Sequence, residues 1–190
     1  MNFLDHLRSS ARANHLANRR LAAALVQLPP AEFHAARISF FPSLSATLHH
    51  LLAVDTYYLA GLHGEPDMVA QYRACGACPD VSDWQRRQTA CDQRLMRLCD
   101  SLAPEDAGRI LVFDRGSHPD HNPLGRLLGH LFMHQIHHRG QVHAMLSGTA
   151  VKPPQLDDFL LPSDAAVRQA DLAALGWTEA DLMAGDAQLP

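Results

Sequence analysis

The chain has 190 residues, of which 47% are hydrophobic and 19% charged, a length and composition that suit one domain with a sizeable core. Its formal net charge of −4 gives no broad basic surface, so nucleic acid is not an expected partner. The sequence contains no run of about 18 apolar residues, so we expect no membrane span. Asp5 and Arg8 come too early for a signal peptide. We therefore expect a cytoplasmic protein with reduced cysteines.

The first two predicted helices lie in the N-terminal third of the chain. Apolar residues recur at helical spacing over residues 3–28, and the helix should stop at Pro29 because a proline inside a helix removes a hydrogen-bond donor. A second apolar stripe covers about residues 43–62 and ends before Gly64. Both segments are long enough to span a helical bundle.

Two further helices are predicted from their N-terminal signals. The third begins at Ser82, which forms a capping-box pattern with Gln85, and its apolar residues recur at the near-heptad spacing typical of antiparallel bundles. The fourth opens with Asn122 as N-cap and Pro123 at the first helical position, and it continues to Leu146.

The connecting and C-terminal segments carry weaker signals. Residues 109–113 suggest a short extended piece or an irregular β-ribbon. Two short helical pieces occur near the C-terminus, and Thr178 is placed to cap the second. We therefore predict an all-α protein: an up-and-down-type four-helix bundle (1–158) with a short irregular or β-ribbon insertion, and a C-terminal helical extension (159–190) packed on or beside it.

The four cysteines give one motif. Cys75 and Cys78 form C-x-x-C, which occurs in redox-active sites and as half of a zinc site. No second pair and no surrounding βαβ pattern accompany it, so the favoured interpretation is two thiols in a surface loop. Cys91 and Cys99 are expected to be small core residues on a helix.

Histidines concentrate in the fourth predicted helix. Its segment HLFMHQIHHRGQVH holds five of the chain's thirteen histidines. His134 and His138 are four residues apart, so their imidazoles lie on one helix face and can bind one metal ion. His130 extends the row by a turn, whereas His137 and His143 point elsewhere. Chance pairing on a surface helix is the alternative, and a catalytic site needs a further ligand.

The second helix offers that ligand in the segment LHHLLAVD. His50 lies on a face of mostly small and apolar residues, which would let a partner helix approach closely. His49 lies about 100° further around the helix, next to Ser45, which favours a position facing solvent. The pattern favours His50 over His49 as the third ligand.

Two segments, LHHLLAVDTYYLAGLHG and HLFMHQIHHRGQVHAML, closely resemble the DinB-like family of damage-inducible four-helix proteins. That family is similar in fold to YfiT-type metal-dependent hydrolases and to mycothiol- and bacillithiol-dependent enzymes. The resemblance covers roughly residues 3–158, and HHRGQ is its most specific part. It implies a three-histidine metal site at His50, His134 and His138, with His130 as a neighbour, and a homodimer paired through helix faces.

The ligand set and the resemblance together define the expected function. Three histidines suit a divalent ion, zinc or nickel above all, with positions left for water or a small-molecule substrate. The expected activity is that of a metal-dependent hydrolase, or of a transferase or isomerase that uses a low-molecular-weight thiol. The alternative is a non-catalytic, stress-related bundle that binds a metal or a small ligand.

Residues around the histidine motifs offer candidates for a general base and for an ion pair. His130, His137, Asp55 and Glu65 are the candidates for a general base, and none stands out. The Arg139 guanidinium is expected to pair with a carboxylate across the bundle, with Asp55 as the candidate.

Two positions that follow Arg139 have expected structural roles. Gly140, in mid-helix, is expected to allow a close approach by another chain segment. Gln141 is expected to bond a buried backbone group.

Overall fold

The computed structural model describes residues 2–183, which contain eight α-helices and one two-stranded antiparallel sheet. The helices are α1 (Phe3–Leu25), α2 (Pro30–His34), α3 (Leu44–Leu62), α4 (Met68–Ala74), α5 (Val81–Ser101), α6 (Leu124–Leu146), α7 (Ala165–Leu175) and α8 (Glu179–Met183). The strands are β1 (Ile110–Asp114) and β2 (Pro119–Pro123). The predicted all-α architecture with a small β insertion is confirmed.

Helices α1, α3, α5 and α6 form the four-helix bundle. Within the bundle, α1 and α3 each pack against α5 and α6, so α1 and α3 lie across the bundle from each other. Leucine and alanine fill the core, as expected for four amphipathic helices that bury one face each. This arrangement places α3 directly against α6, the two helices that carry the histidine motifs.

Two predicted helix starts are wrong in their caps. The carboxylate of Asp80, not the Ser82 hydroxyl, caps α5 by accepting the Asp83 amide at 2.8 Å, so Ser82 lies inside the first turn. Asn122 belongs to β2 and does not cap α6. The first amide of α6, that of Leu124, donates instead to the Arg109 carbonyl at 2.9 Å, a partner that only the folded ribbon supplies.

The β-ribbon inserts one side chain into the bundle. Phe113 of β1 is fully buried and contacts the backbone of α3 at Gly61. A Cβ at Gly61 would lie 2.6 Å from the Phe113 ring, so only glycine fits there. At Gly140, by contrast, a Cβ would have no heavy atom of a neighbouring segment within 4 Å, and the expected close approach there is wrong.

The C-terminal extension packs against α1. Phe159, Leu172 and Leu182 form a second apolar cluster with Leu16 and Ala17 of that helix. The two predicted short helices are present as α7 and α8, and the hydroxyl of Thr178 accepts the Asp181 amide at 3.2 Å, as expected of its cap. The proposed division at residue 158 stays a prediction, and residues 184–190 of the extension lie outside the described residues.

The side chain of Arg168 fastens this extension internally. It is fully buried, pairs with Glu179 at 2.6 Å and donates to the Leu161 carbonyl at 2.8 Å. A buried guanidinium needs such partners because leaving it unpaired would be costly.

Across residues 2–183, no helix combines the length and hydrophobicity needed to cross a bilayer.

All four cysteines are free thiols. Cys91 and Cys99 are buried, as predicted. The interpretation of Cys75 and Cys78 as surface-loop thiols is wrong for Cys78, which is buried against the core, and Cys75 is half-buried.

Candidate metal centre

Helices α3 and α6 bring His50, His134 and His138 together. One ring nitrogen from each histidine lies within 4.8 Å of the other two, the only such group of potential metal ligands found in residues 2–183. The Nε2 atoms of His50 and His134 are 3.1 Å apart. His134 and His138 stack one turn apart on α6, with ring centroids at 4.3 Å. The three histidines named from the sequence thus share one site.

The spacing of the His50 and His134 nitrogens fits a common metal ion. Two ligands that each lie about 2.0–2.1 Å from one ion are separated by roughly 2.9–3.4 Å, depending on the angle at the metal. The 3.1 Å between the His50 and His134 nitrogens falls in this range. Without a shared proton or cation, two imidazole lone pairs at that distance would repel each other.

Burial keeps these imidazoles neutral. It lowers the pKa of His50 to about 4, helped by the nearby His138 and His49. It lowers the pKa of His134 to about 3, with His138 and His50 adding to the effect, and it also lowers the pKa of His138. Neutral imidazole is the form that binds metal, so these histidines can bind a cation at neutral pH.

Side chains around the site orient the rings. The Nδ1 atom of His138 lies 2.8 Å from Oε1 of Gln141, so its N–H donates there and Nε2 is left as the lone-pair donor. The expected bond from Gln141 to a buried backbone group is therefore wrong. Phe41, in the loop before α3, stacks on His50 with centroids 4.4 Å apart and lies 5.6 Å from His138.

The face of α6 beside the ligands points into the bundle core. Gln135 donates to the Asp55 carboxylate at 3.1 Å, and Gln88 of α5 donates to the same oxygen at 2.7 Å. The Arg139 guanidinium bonds the side-chain carbonyl oxygens of Asn14 and Asn18 on α1. The predicted direct pair between Arg139 and Asp55 is wrong. Each of the two charged groups hydrogen-bonds to side-chain amides instead.

Asp92 of α5 is the centre of this buried network. Its carboxylate accepts from the Asn14 and Asn18 amides at 3.1 and 3.0 Å, and from His15 Nδ1 at 3.1 Å. Gln88 donates to the same carboxylate at 3.1 Å. The network joins α1, α3, α5 and α6 immediately behind the histidine cluster, so it fixes the register in which the helices meet.

Burial shifts the charged members of the network. The pKa of Asp55 rises to about 7, because burial and the nearby Asp92 outweigh the hydrogen bonds from Gln88 and Gln135. The pKa of Arg139 falls to about 10 through burial, against the attraction of Asp92 and Asp55. Sequence reasoning missed Asn14, Asn18 and Asp92, although polar residues within otherwise apolar helix faces were a visible signal.

Of the four candidate bases, His130 is the one that shares a cavity with a histidine of the cluster. Asp55 is confined to the core, and Glu65 pairs with Arg94 at 2.5 Å. His137 is exposed and accepts from the Gln141 amide at 3.2 Å. His130, expected as a neighbour of the ligands, stacks on Tyr58 with centroids 5.7 Å apart and lines a cavity together with His134.

The other nearby histidine takes no part in the cluster. His49 is half-buried, and its Nε2 donates to the Cys75 carbonyl at 2.6 Å. It therefore does not point freely into solvent as expected. His50, not His49, lies in the cluster with the α6 histidines, and its role as a metal ligand stays a prediction.

A cavity of about 430 Å³ opens beside the histidine cluster. His134 and His130 of α6 form one wall, and three tyrosines from α3 and α4 form another. A volume of this size accommodates a small organic molecule. Any ion at the histidine cluster would therefore lie next to space for a substrate.

Comparison with known proteins agrees with the motifs. No curated protein matches the sequence significantly. A family model described as the DinB family matches residues 2–170, which include all four bundle helices and the three clustered histidines. Since this match covers most of the chain, the protein belongs to the DinB family.

Proposed function

We propose that the protein binds a divalent metal ion through His50, His134 and His138 and uses it in catalysis on a small molecule. One observation carries this proposal: three imidazoles converge within 4.8 Å of one another at the edge of a 430 Å³ cavity, of which His134 is a wall. A purely structural metal site would be closed by a fourth protein ligand. The described residues supply three, which leaves positions for substrate.

Zinc and nickel are the ions best suited to this ligand set. Neutral imidazole nitrogen is a preferred donor for both, and no carboxylate or thiol joins the cluster within residues 2–183. A bound ion would act as a Lewis acid that polarises a carbonyl or stabilises the anionic form of a water or thiol nucleophile. Hydrolysis, or transfer or isomerisation with a low-molecular-weight thiol, are therefore the reactions we propose.

The surrounding residues provide orientation and proton transfer. Gln141 holds the His138 ring, and Phe41 covers His50, which limits access by solvent from that side. His130 is the titratable side chain of α6 that shares the cavity with His134, so it is our candidate to carry a proton to or from a substrate. The stacked Tyr58 ring would keep its imidazole in place.

Metal analysis after dialysis tests the first half of the proposal. His50→Ala, His134→Ala and His138→Ala should each lose most of the zinc or nickel that the wild-type protein retains at neutral pH. His137→Ala and His143→Ala, which remove histidines of the same helix outside the cluster, should retain it. Full retention in His50→Ala would overturn the site that spans α3 and α6.

An activity screen tests the second half. The zinc- and nickel-loaded protein is assayed with ester and amide substrates, and with low-molecular-weight thiols paired with electrophiles. Turnover that requires metal and is lost in His134→Ala supports the enzyme. Tight metal binding without turnover in any arm would favour the alternative, a non-catalytic bundle that binds a metal or small ligand.

We also propose the homodimer implied by the family resemblance. Sedimentation at micromolar concentration tests it, and a monomer alone would count against it.

A further inference from the structure

Two arginines face the cavity beside the histidine cluster. Arg73 of α4 and Arg115 of the turn between β1 and β2 both line it, on elements other than those that supply the histidines. We propose that this cavity binds a small molecule with an aromatic body and an anionic group, a carboxylate or a phosphoryl group, held by these two arginines. The identification of that molecule as the substrate rests on the proposed metal-dependent function; the binding site itself does not.

The charges at the cavity favour an anion. Among residues 2–183, Arg73 has no carboxylate within ion-pair distance, so its charge is not neutralised by a neighbouring side chain. Arg115 contacts Asp120 at 3.4 Å, but both groups are more than a third exposed, so the pair holds the guanidinium weakly. Guanidinium groups with free donors bind carboxylate and phosphoryl oxygens through paired hydrogen bonds.

One carboxylate also lines the cavity and would oppose an anion. Asp114 precedes Arg115, and its Oδ1 accepts the Gly116 amide at 2.7 Å within the ribbon turn. That hydrogen bond holds the carboxylate in its own turn. The side chains at the cavity therefore carry two positive charges against one negative charge, before any metal ion beside His134 is counted.

The walls suit an aromatic or flat apolar body. Tyr57 and Tyr58 of α3 and Tyr72 of α4 line the cavity, with Val54 and Val69. The Tyr57 hydroxyl donates to the Asp114 carbonyl at 2.6 Å, which fixes its ring against the ribbon. The rings of Tyr57 and Tyr72 stand nearly perpendicular, with centroids 6.3 Å apart. Preformed aromatic surfaces of this kind bury a ligand ring at little cost in side-chain entropy.

The position of these groups gives the ligand a direction. The arginines lie on α4 and the ribbon turn, whereas the histidine wall belongs to α6. Tyr58 stacks on His130 of that wall, and the Tyr57 hydroxyl donates to the carbonyl of Asp114, the residue before Arg115. An anion held by the arginines would leave the rest of the molecule directed along the tyrosines toward His134. The arginines would thus select the substrate by a group that is not the one undergoing reaction.

Paired aromatic probes test this inference. Benzoate, phenylphosphonate and the neutral benzamide are titrated into the full-length protein by ligand-observed NMR, with and without zinc. Benzoate and phenylphosphonate distinguish carboxylate from phosphoryl recognition, and benzamide has the shape of benzoate without its charge. We expect one or both anions to bind at least about fivefold more tightly than benzamide.

The double variant R73Q/R115Q should reduce that preference to near one, while its zinc content and helical circular dichroism stay at the wild-type level. The matched control R97Q/K152Q removes two exposed positive charges that do not line the cavity and should leave anion binding unchanged. Equal binding of benzoate and benzamide, or failure of both anions to bind at millimolar concentration, would overturn the inference.

Zinc dependence separates this inference from the proposed function. Anion binding that needs zinc and is unaffected in R73Q/R115Q would mean that the ion alone holds the anion, and the arginine site would be wrong. Anion binding that depends on the arginines in a protein that fails to retain zinc would support the arginine site and reject the metal-dependent function.

Discussion

Two faces of the same helix, α6, carry polar side chains into the bundle to opposite effect. On one face, His134 and His138 meet His50 of α3, and Nδ1 of His134 is buried with no hydrogen-bond partner among the described residues. On the other, Gln135 and Arg139 join a network in which each charged group meets at least two hydrogen-bond partners, although Oδ1 of Asp55 and the side-chain oxygens of Gln88 and Gln135 have none among the described residues. A buried network held by several side-chain hydrogen bonds fixes the packing of helices, whereas three neutral imidazoles that meet at one point can bind a cation.

The largest expected effect comes from breaking the network. Asp92→Ala should lower the free energy of unfolding by about 3–5 kcal/mol, because it leaves the amides of Asn14 and Asn18 without their buried acceptor and removes a negative charge that offsets the buried charge of Arg139. Urea unfolding followed by circular dichroism measures the change.

A control on the same helix isolates the role of burial. Asp100→Ala removes a carboxylate of α5 that is 44% exposed and paired with Arg12, so the loss should stay below about 1 kcal/mol. Equal losses in Asp92→Ala and Asp100→Ala would mean that the network contributes no more than a surface ion pair.

Removal of a clustered histidine should change the unfolding free energy mainly when metal is present. Without metal, His138→Ala should lower the unfolding free energy by about 1–2 kcal/mol, less than Asp92→Ala, because it removes a buried ring but leaves no charge without a partner in the core. With zinc at 100 times its dissociation constant, the wild-type protein should gain about 2.7 kcal/mol, and His138→Ala should gain almost none. Unfolding with and without zinc measures both quantities, and a large loss in the metal-free variant would assign the cluster a structural role.

The two faces should also differ in how their contributions to stability depend on pH. The Asp55 carboxyl has its pKa raised to about 7 in the folded protein, from 3.8 in the unfolded chain. Between these values the folded state holds the extra proton, so this group's contribution to stability falls as pH rises from about 4 to 7, by about 1.4 kcal/mol per pH unit at most. The buried histidines act in the opposite sense, because their lowered pKa values make stability fall as pH decreases below about 6.5.

Asp55→Asn separates the two contributions. The variant carboxamide does not titrate, so the difference in unfolding free energy between wild type and variant should shrink or change sign across pH 4 to 7. Metal-free protein is used for both, with chemical unfolding at each pH. A difference that stays constant over this range would show that Asp55 is ionised throughout it.

The two faces also differ in how far the sequence predicts them. The spacing of His134 and His138 places both on one helix face whatever the surroundings, and the family motif around His50 identifies the partner on α3. The network depends on which helices become neighbours: α1 and α3 lie across the bundle, and Arg139 therefore reaches Asn14 rather than Asp55. Phe41 covers the site from a loop without periodicity, which leaves no signal in the sequence.

The C-x-x-C pair provides the smallest expected effect on the metal site. Cys75 and Cys78 lie outside the histidine cluster, and their nearest charged contact is the Arg87 guanidinium, at 3.1 Å from the Cys75 sulfur. Burial raises the pKa of both thiols, that of Cys78 to about 11, which disfavours the thiolate that a metal would require. The double variant C75S/C78S should therefore retain wild-type zinc or nickel after dialysis. It should lose about 1 kcal/mol of stability, because a hydroxyl replaces the buried Cys78 thiol. A drop of half or more in metal content would reveal a second site that these cysteines help to form.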